Sequence, residues 1–413
     1  MKSSMFVFGT DIVGEGVETV LDNLTARAGV DTISLSATYH NARDVFPHNP
    51  RHRVYRHEGD IAWFRPNKRL YPGGFAPPLA SDADGMDVLG LVTDAAERRG
   101  TDVKAWTIYS HNSRLSAAAP DTSVRNVFGD RMRGDLCPSN PLVQDHFAAL
   151  TADICSYPIS TLLAECLHYR AFEHGEHHER YLIDIPGHVR SALGLCFCES
   201  CAAAGALHGV DVPSLEIALR YAIDAALAGA TGGFEAALAE DLDRYATSRV
   251  ATITALTRDI TSVATQNGVR LSFIDHSGAM SHVMTDVTPE EATSTAARRL
   301  GIDPRAAAGA ADEYLALIYT DDPERADTMM RGYRALLGDD VPISYGFRPL
   351  KPDCSDESNL AAKVSAARAA GASSVDFYHY AMMPLERLDW IARALDGARD
   401  SATRSGQPAF GPS

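Results

Sequence analysis

Leu162-Leu-Ala-Glu-Cys-Leu-His-Tyr-Arg170 is the stretch on which the fold turns. Ile159 to Ala164 is mostly apolar and reads as a short buried strand, with Glu165 delivered to its C-terminal tip. Cys166, His168 and Tyr169 follow at once. A carboxylate at the tip of a buried strand is costly unless it is paired. In a barrel of parallel strands, that tip is where chemistry is placed. Glu165 is therefore the first catalytic candidate. Beyond it come a histidine-rich run, Glu173, His174, Glu176, His177, His178 and Glu179, and then the cluster Cys196-Phe-Cys-Glu-Ser-Cys201.

Working outward, apolar runs of strand length recur, each followed by a stretch of helical periodicity. The runs are Phe6 to Thr10, Thr32 to Ser36, Val103 to Tyr109, the Glu165 strand, Arg270 to Ile274, Tyr314 to Tyr319, Pro342 to Tyr345 and Val375 to Tyr378. Eight strands alternating with helices predict an α/β fold, a (β/α)8 barrel. An open doubly wound sheet would carry a glycine-rich phosphate loop after its first strand, and Gly9-Thr-Asp-Ile-Val-Gly14 is not one. Residues 1–399 are expected to form one barrel domain, with 40–84 a lid-like insertion after the second strand and 400–413 a flexible tail.

The 413 residues carry a formal net charge of −16, which argues against nucleic acid or an anionic membrane as partner. No apolar run approaches the length of a membrane span, and the short apolar start does not fit a signal peptide. Seven cysteines without a secretion signal read as reduced thiols or metal ligands. These features predict a cytoplasmic enzyme, and they are compatible with a homo-oligomer.

The strand tips line up polar and aromatic side chains: Asp11; Tyr39, His40 and Asn41; His111 and Asn112; Glu165 and His168; Asp275 and His276; Tyr319 and Asp321; Tyr345 and Arg348; His379 and Tyr380. Together they predict an active site at the barrel mouth. The insertion mixes aromatic residues, Trp63 among them, with arginines, which suits sugar rings that stack on one face and hydrogen-bond at the edge. A small packed subdomain shielding the mouth would use the same residues.

Cys196, Cys198 and Cys201 place three thiols at a spacing that suits one metal ion, and tetrahedral zinc takes four such ligands. Cys137, in Asp135-Leu-Cys-Pro-Ser-Asn-Pro141, is available as the fourth. This pairing of a Cys-Pro loop after the third strand with a Cys-x-Cys-x-x-Cys run after the fourth resembles the zinc-containing β-galactosidases of glycoside hydrolase family 42. The resemblance covers the third strand through Cys201. It implies a structural zinc on Cys137, Cys196, Cys198 and Cys201 and Glu165 as general acid/base; no organic cofactor is expected. The chain departs from the family pattern in having Ala164 where Asn precedes the acid, and no carboxylate in Ile343-Ser-Tyr-Gly-Phe-Arg348.

Glycoside hydrolysis needs two carboxyl groups flanking the scissile bond. Glu165 is expected to supply one, its pKa raised by burial so that it can donate a proton to a small carbohydrate substrate. Asp275 is the leading candidate for the other, followed by Asp11 and Asp321. Two alternatives stand beside this. One is a metal-dependent hydrolase or isomerase using His111, His168, His174, His177, His178, Asp275, His276 and His379. The other is a non-catalytic carbohydrate-binding protein lacking the seventh-strand carboxylate.

Overall fold

The computed structural model describes residues 1–174, 180–280, 283–284, 286–288 and 291–405. Twelve strands are formed in chain order: β1 Lys2–Val7, β2 Thr32–Ser36, β3 Thr38–Val45, β4 Val54–Ala62, β5 Asp102–Ile108, β6 Ser123–Arg125, β7 Arg131–Leu136, β8 Thr161–Glu165, β9 Arg270–Asp275, β10 Glu313–Leu317, β11 Ile343–Phe347 and β12 Ser374–Phe377. Eight of them close into one barrel in the order β1-β12-β11-β10-β9-β8-β5-β2, every neighbouring pair parallel. This is the (β/α)8 barrel read from the sequence, and all eight anticipated strands take part.

Two antiparallel hairpins interrupt the alternation. β3 and β4 form the first part of the predicted lid, and β6 and β7 follow the third barrel strand. The insertion thus begins as a folded ribbon, pinned by Phe8 against Tyr39 with ring centroids 4.7 Å apart. Further corrections concern boundaries. The first strand ends at Val7, not Thr10, because Gly9–Glu15 is a helix in which the Asp11 carboxylate accepts from the Phe8 N–H at 2.9 Å. The last helix runs Arg387–Ser405; residues 406–413 lie outside the described part. Among the described residues no helix is long and apolar enough to cross a membrane.

Side-chain alternation along the strands separates two apolar layers. Phe6, Trp106, Leu163, Ile274, Leu315 and Leu317 face into the barrel, whereas Met5, Leu162, Phe273, Tyr314 and Tyr345 face the surrounding helices. Below the inner layer the barrel is filled by a charged floor. Lys104 Nζ lies 3.2 Å from Asp376 and 3.8 Å from Glu313. Ser344 donates to Glu313 at 2.6 Å, so the buried charges are paired and bonded.

Trp63, expected in a binding site, is instead buried between the insertion and Gly9. A Cβ on Gly9 would stand 2.0 Å from the Trp63 ring. Gly9→Ala is therefore expected to destabilise the fold by about 3 kcal/mol through overpacking, seen as a lower urea midpoint at unchanged slope.

Candidate active site at the barrel mouth

β8 is buried up to Ala164 and releases Glu165 into the mouth, where 17% of its side chain remains accessible. Cys166 takes a left-handed backbone conformation, with φ of 55°, and turns the chain away after the strand. Such a conformation in a non-glycine residue is strained and concentrates at functional sites.

One carboxylate oxygen of Glu165 accepts from Trp106 Nε1, and the other lies 3.4 Å from His276 Nε2. His276 Nδ1 lies 2.9 Å from His168 Nε2, and His168 Nδ1 lies 2.8 Å from the Tyr169 carbonyl. Burial alone would push the Glu165 carboxyl up, as the sequence reading expected. The hydrogen bond and charge of His276, with contributions from His40 and the Trp106 N–H, more than offset it, and the carboxyl is held below its ordinary value. His40 is held neutral by burial, at about 4.

His40 stacks on His111 at 4.2 Å, and both line a cleft of about 290 Å³ with Asp44, Arg133 and His174. On the other side of Trp106, the Tyr39 and Tyr378 hydroxyls meet at 3.2 Å. The Arg348 guanidinium lies 3.8 Å above the Tyr319 ring and reaches Asp353 at 3.2 Å. A larger groove of about 580 Å³ lies on the outer surface along the helix Ala236–Gln266 and includes none of these side chains.

The structure thus gathers Glu165, His40, His111, His168, His276, Tyr39, Tyr319 and Arg348 around the mouth. It adds Trp106, Cys166, His174 and Tyr378. Trp106 was legible in principle, because the period of two that turns Ile108 inward turns Trp106 inward as well.

Other predicted residues are elsewhere. Asp275 points out of the barrel, fully buried, accepting from the Tyr314 and Tyr333 hydroxyls at 2.8 Å each and from the Ser277 N–H at 2.8 Å. Asp11 is also fully buried and serves as a helix cap. Asn112 caps the helix Ser113–Ala118 by accepting from Leu115 N–H at 2.7 Å. Asp321 is exposed. The Tyr345 hydroxyl donates to the Met330 carbonyl at 2.9 Å, on the helix side of the wall. Tyr380 bonds Glu15 and Asn23, again outside the barrel. His379 is buried beneath the hairpin, stacked on Phe8 at 3.7 Å. His177 and His178 lie outside the described residues. None of the three aspartates proposed as second carboxylate is brought against Glu165.

Asp275 is surrounded by donors that hold two tyrosines and a turn in place. Asp275→Asn is accordingly expected to lower stability by about 1–3 kcal/mol by mispairing one buried hydroxyl, and to change turnover by only a few-fold. Paired denaturation and kinetic measurements on the variant check this.

The four cysteines read as ligands do converge. Cys137 Sγ lies 3.5 Å from Cys198 Sγ, 3.4 Å from Cys201 Sγ and 3.7 Å from Cys196 Sγ, and all four residues are buried. β6 and β7 carry Cys137 to this point, and the helix Glu199–Leu207 carries Cys201. The Arg125 N–H points at Cys196 Sγ at 3.4 Å, and the Tyr169 hydroxyl lies 3.6 Å from Cys201 Sγ. This buried cluster could hold a metal ion. Glu165, Cys166 and His276 also bring one donor atom each within 4.8 Å, a spacing that a proton or a small cation could fill.

No protein-family model matches the chain, and no curated protein sequence matches it. Among solved structures, α-L-fucosidase isoenzyme 2 from Paenibacillus thiaminolyticus is similar with a TM-score of 0.58 at 12% identity, over 98% of this chain and 51% of that one. This chain therefore spans about half the length of that fucosidase. The catalytic domain of β-amylase from Paenibacillus polymyxa is similar with a TM-score of 0.55 at 11% identity, over 98% of this chain and 99% of that one. Likeness at such identities shows a shared barrel fold.

Proposed function

We propose that this protein is a glycoside hydrolase, acting on a small glycoside or oligosaccharide with Glu165 as general acid/base. The observation that carries this reading is Glu165 itself. It is a carboxylate released from the tip of a barrel strand, bonded by an indole and paired with an imidazole 3.4 Å away, in a mouth lined by the part-exposed rings of His40, His111 and Tyr378 with Trp106 and Tyr39 buried behind them. Ring faces of this kind suit the C–H faces of sugars. Two barrel proteins of similar architecture, a fucosidase and a β-amylase, carry glycosidase names in support. The test is hydrolysis of a panel of aryl and natural glycosides at several pH values. Release of sugar by wild type, lost on replacing Glu165, is the expected result.

A second reading rests on a specific observation: among the described residues, no other carboxylate touches Glu165. A carbohydrate-binding protein without turnover would look the same at this point. Calorimetric titration with sugars, giving binding without hydrolysis, would favour it.

We also propose that Cys137, Cys196, Cys198 and Cys201 hold a structural zinc. Four sulfurs each 2.3 Å from one zinc stand about 3.8 Å apart, close to the separations of 3.4, 3.5 and 3.7 Å measured from Cys137. The donor set leaves no open position, so the ion would cross-link the chain and take no part in the reaction. The Arg125 N–H and the Tyr169 hydroxyl would orient the thiolates from outside.

A further inference from the structure

A backbone carbonyl fixes a series of tautomers that ends on Glu165. The Tyr169 carbonyl can only accept, so His168 Nδ1, 2.8 Å away, carries its hydrogen. Burial holds His168 down at about 3, so the ring is neutral and its Nε2 is a bare acceptor. His276 Nδ1, 2.9 Å from that acceptor, must then be an N–H. This leaves His276 Nε2 facing a Glu165 oxygen at 3.4 Å, while the other carboxylate oxygen accepts from Trp106. A bare Nε2 opposite an ionised carboxylate would set two acceptors against each other in a largely buried site, which is costly.

We propose that Glu165 and His276 hold one shared proton between them, that His168 is the positioning residue that directs it there, and that the acid of the reaction is this pair. The inference rests on the reading of Glu165 as acid/base and deepens it.

The surrounding groups leave the pair isolated. From β3, His40 is neutral, held at about 4 by burial. His111 and His174 are held well below the ordinary value by burial and by the Arg170 charge. The Cys166 thiol is pushed up by burial, and so are the hydroxyls of Tyr39, Tyr319 and Tyr378. Arg170 is paired with Asp135, and Arg249 lies over the Tyr169 ring.

The step balances. As the glycosidic C–O bond breaks, its electron pair goes to the leaving oxygen, which takes the proton from Glu165. His276 Nε2 passes its proton to Glu165. Water adds hydroxide to the anomeric carbon, and its remaining proton returns to the pair.

The test uses the full chain labelled at the glutamate carboxyl carbon. The Glu165 signal, identified by its absence in Glu165→Gln, is followed by NMR against pH. His276→Asn is expected to raise the Glu165 midpoint by about one pH unit or more. His168→Ala, which leaves His276 Nδ1–H without its acceptor, should move it the same way, and His168→Gln should restore it. Should His276→Asn fail to fold, wild type alone decides. Nitrogen-15 imidazole shifts must show protons on both His276 nitrogens while Glu165 is ionised.

An unmoved Glu165 midpoint in folded His276→Asn, or a Glu165 signal that shifts on chelation, would overturn the pair, the second by placing a cation where the proton belongs. If the midpoints move as stated but no glycoside is hydrolysed, the pair stands and the hydrolase reading falls. Hydrolysis with an unmoved midpoint gives the reverse.

Discussion

Glu165→Gln is expected to lower turnover of natural glycosides by roughly two to four orders of magnitude, the usual worth of general acid catalysis. The substitution suits the site. The amide oxygen still accepts from Trp106 Nε1, and the amide N–H can donate to a neutral His276 Nε2, so both buried partners stay satisfied. What is lost is the titratable proton. Nitrophenyl glycosides, whose leaving groups need little protonation, should lose far less than alkyl or sugar leaving groups. Sugar affinity should barely change, because the rings that wall the mouth are untouched. Initial rates with both substrate types, across pH, separate these expectations. A Glu165→Gln enzyme close to wild type on natural glycosides would remove the acid role.

The second large effect is expected at the cysteine cluster. Cys198→Ser replaces a thiolate with a hydroxyl that binds zinc poorly at neutral pH, and should release one equivalent of metal. Loss of a structural metal is among the few single changes that cost about 4 kcal/mol or more, which here means a melting point lower by roughly 5 °C or more. The protein that remains folded should keep most of its activity, since four thiolates leave no open position at the metal. Elemental analysis and thermal scans with and without chelator check both statements. Purified wild type free of metal, or a Cys198→Ser protein melting like wild type, would refute the zinc.

The barrel was legible because each of its strands is a short stretch rich in apolar residues followed by a segment of helical periodicity, an alternation that survives both small errors of boundary and the polar residues, such as Lys104 and Asp376, that the strands carry. Glu165 was legible as a charge where an apolar residue belongs. The direction of its neighbours was harder to read, because side chains alternate along a strand and an error of one position reverses the face. Asp275 and His276 are the instructive pair. Asp275 ends β9 and His276 follows it, yet Asp275 turns to the helices and Tyr333, whereas His276 turns to Glu165.

Asp11 and Asn112 misled for another reason. Both are polar residues just past strands, but both open helices, where a side chain accepting a backbone N–H is the commoner role. The cysteines met because hairpin β6–β7, which no periodicity announced, carries Cys137 across to the others. Trp63 was taken for a sugar platform on its chemistry alone. The glycine that makes room for it lies more than fifty positions earlier, beyond the reach of any local pattern.

The cysteine cluster also bears on how such a protein could change over time. Cys137 precedes β8 and Cys196 follows it, so the segment of about thirty residues between Glu165 and Cys196 is tethered at both ends. Anchored chain segments are lengthened cheaply in general, each doubling of a flexible loop costing only about 0.6 kcal/mol of closure entropy. Insertions and deletions there can reshape what enters the mouth while β8 keeps Glu165 in place. On the proposed reading of Glu165 as the acid, selectivity and acid–base power would then be inherited separately, and lineages could exchange one substrate for another without rebuilding it.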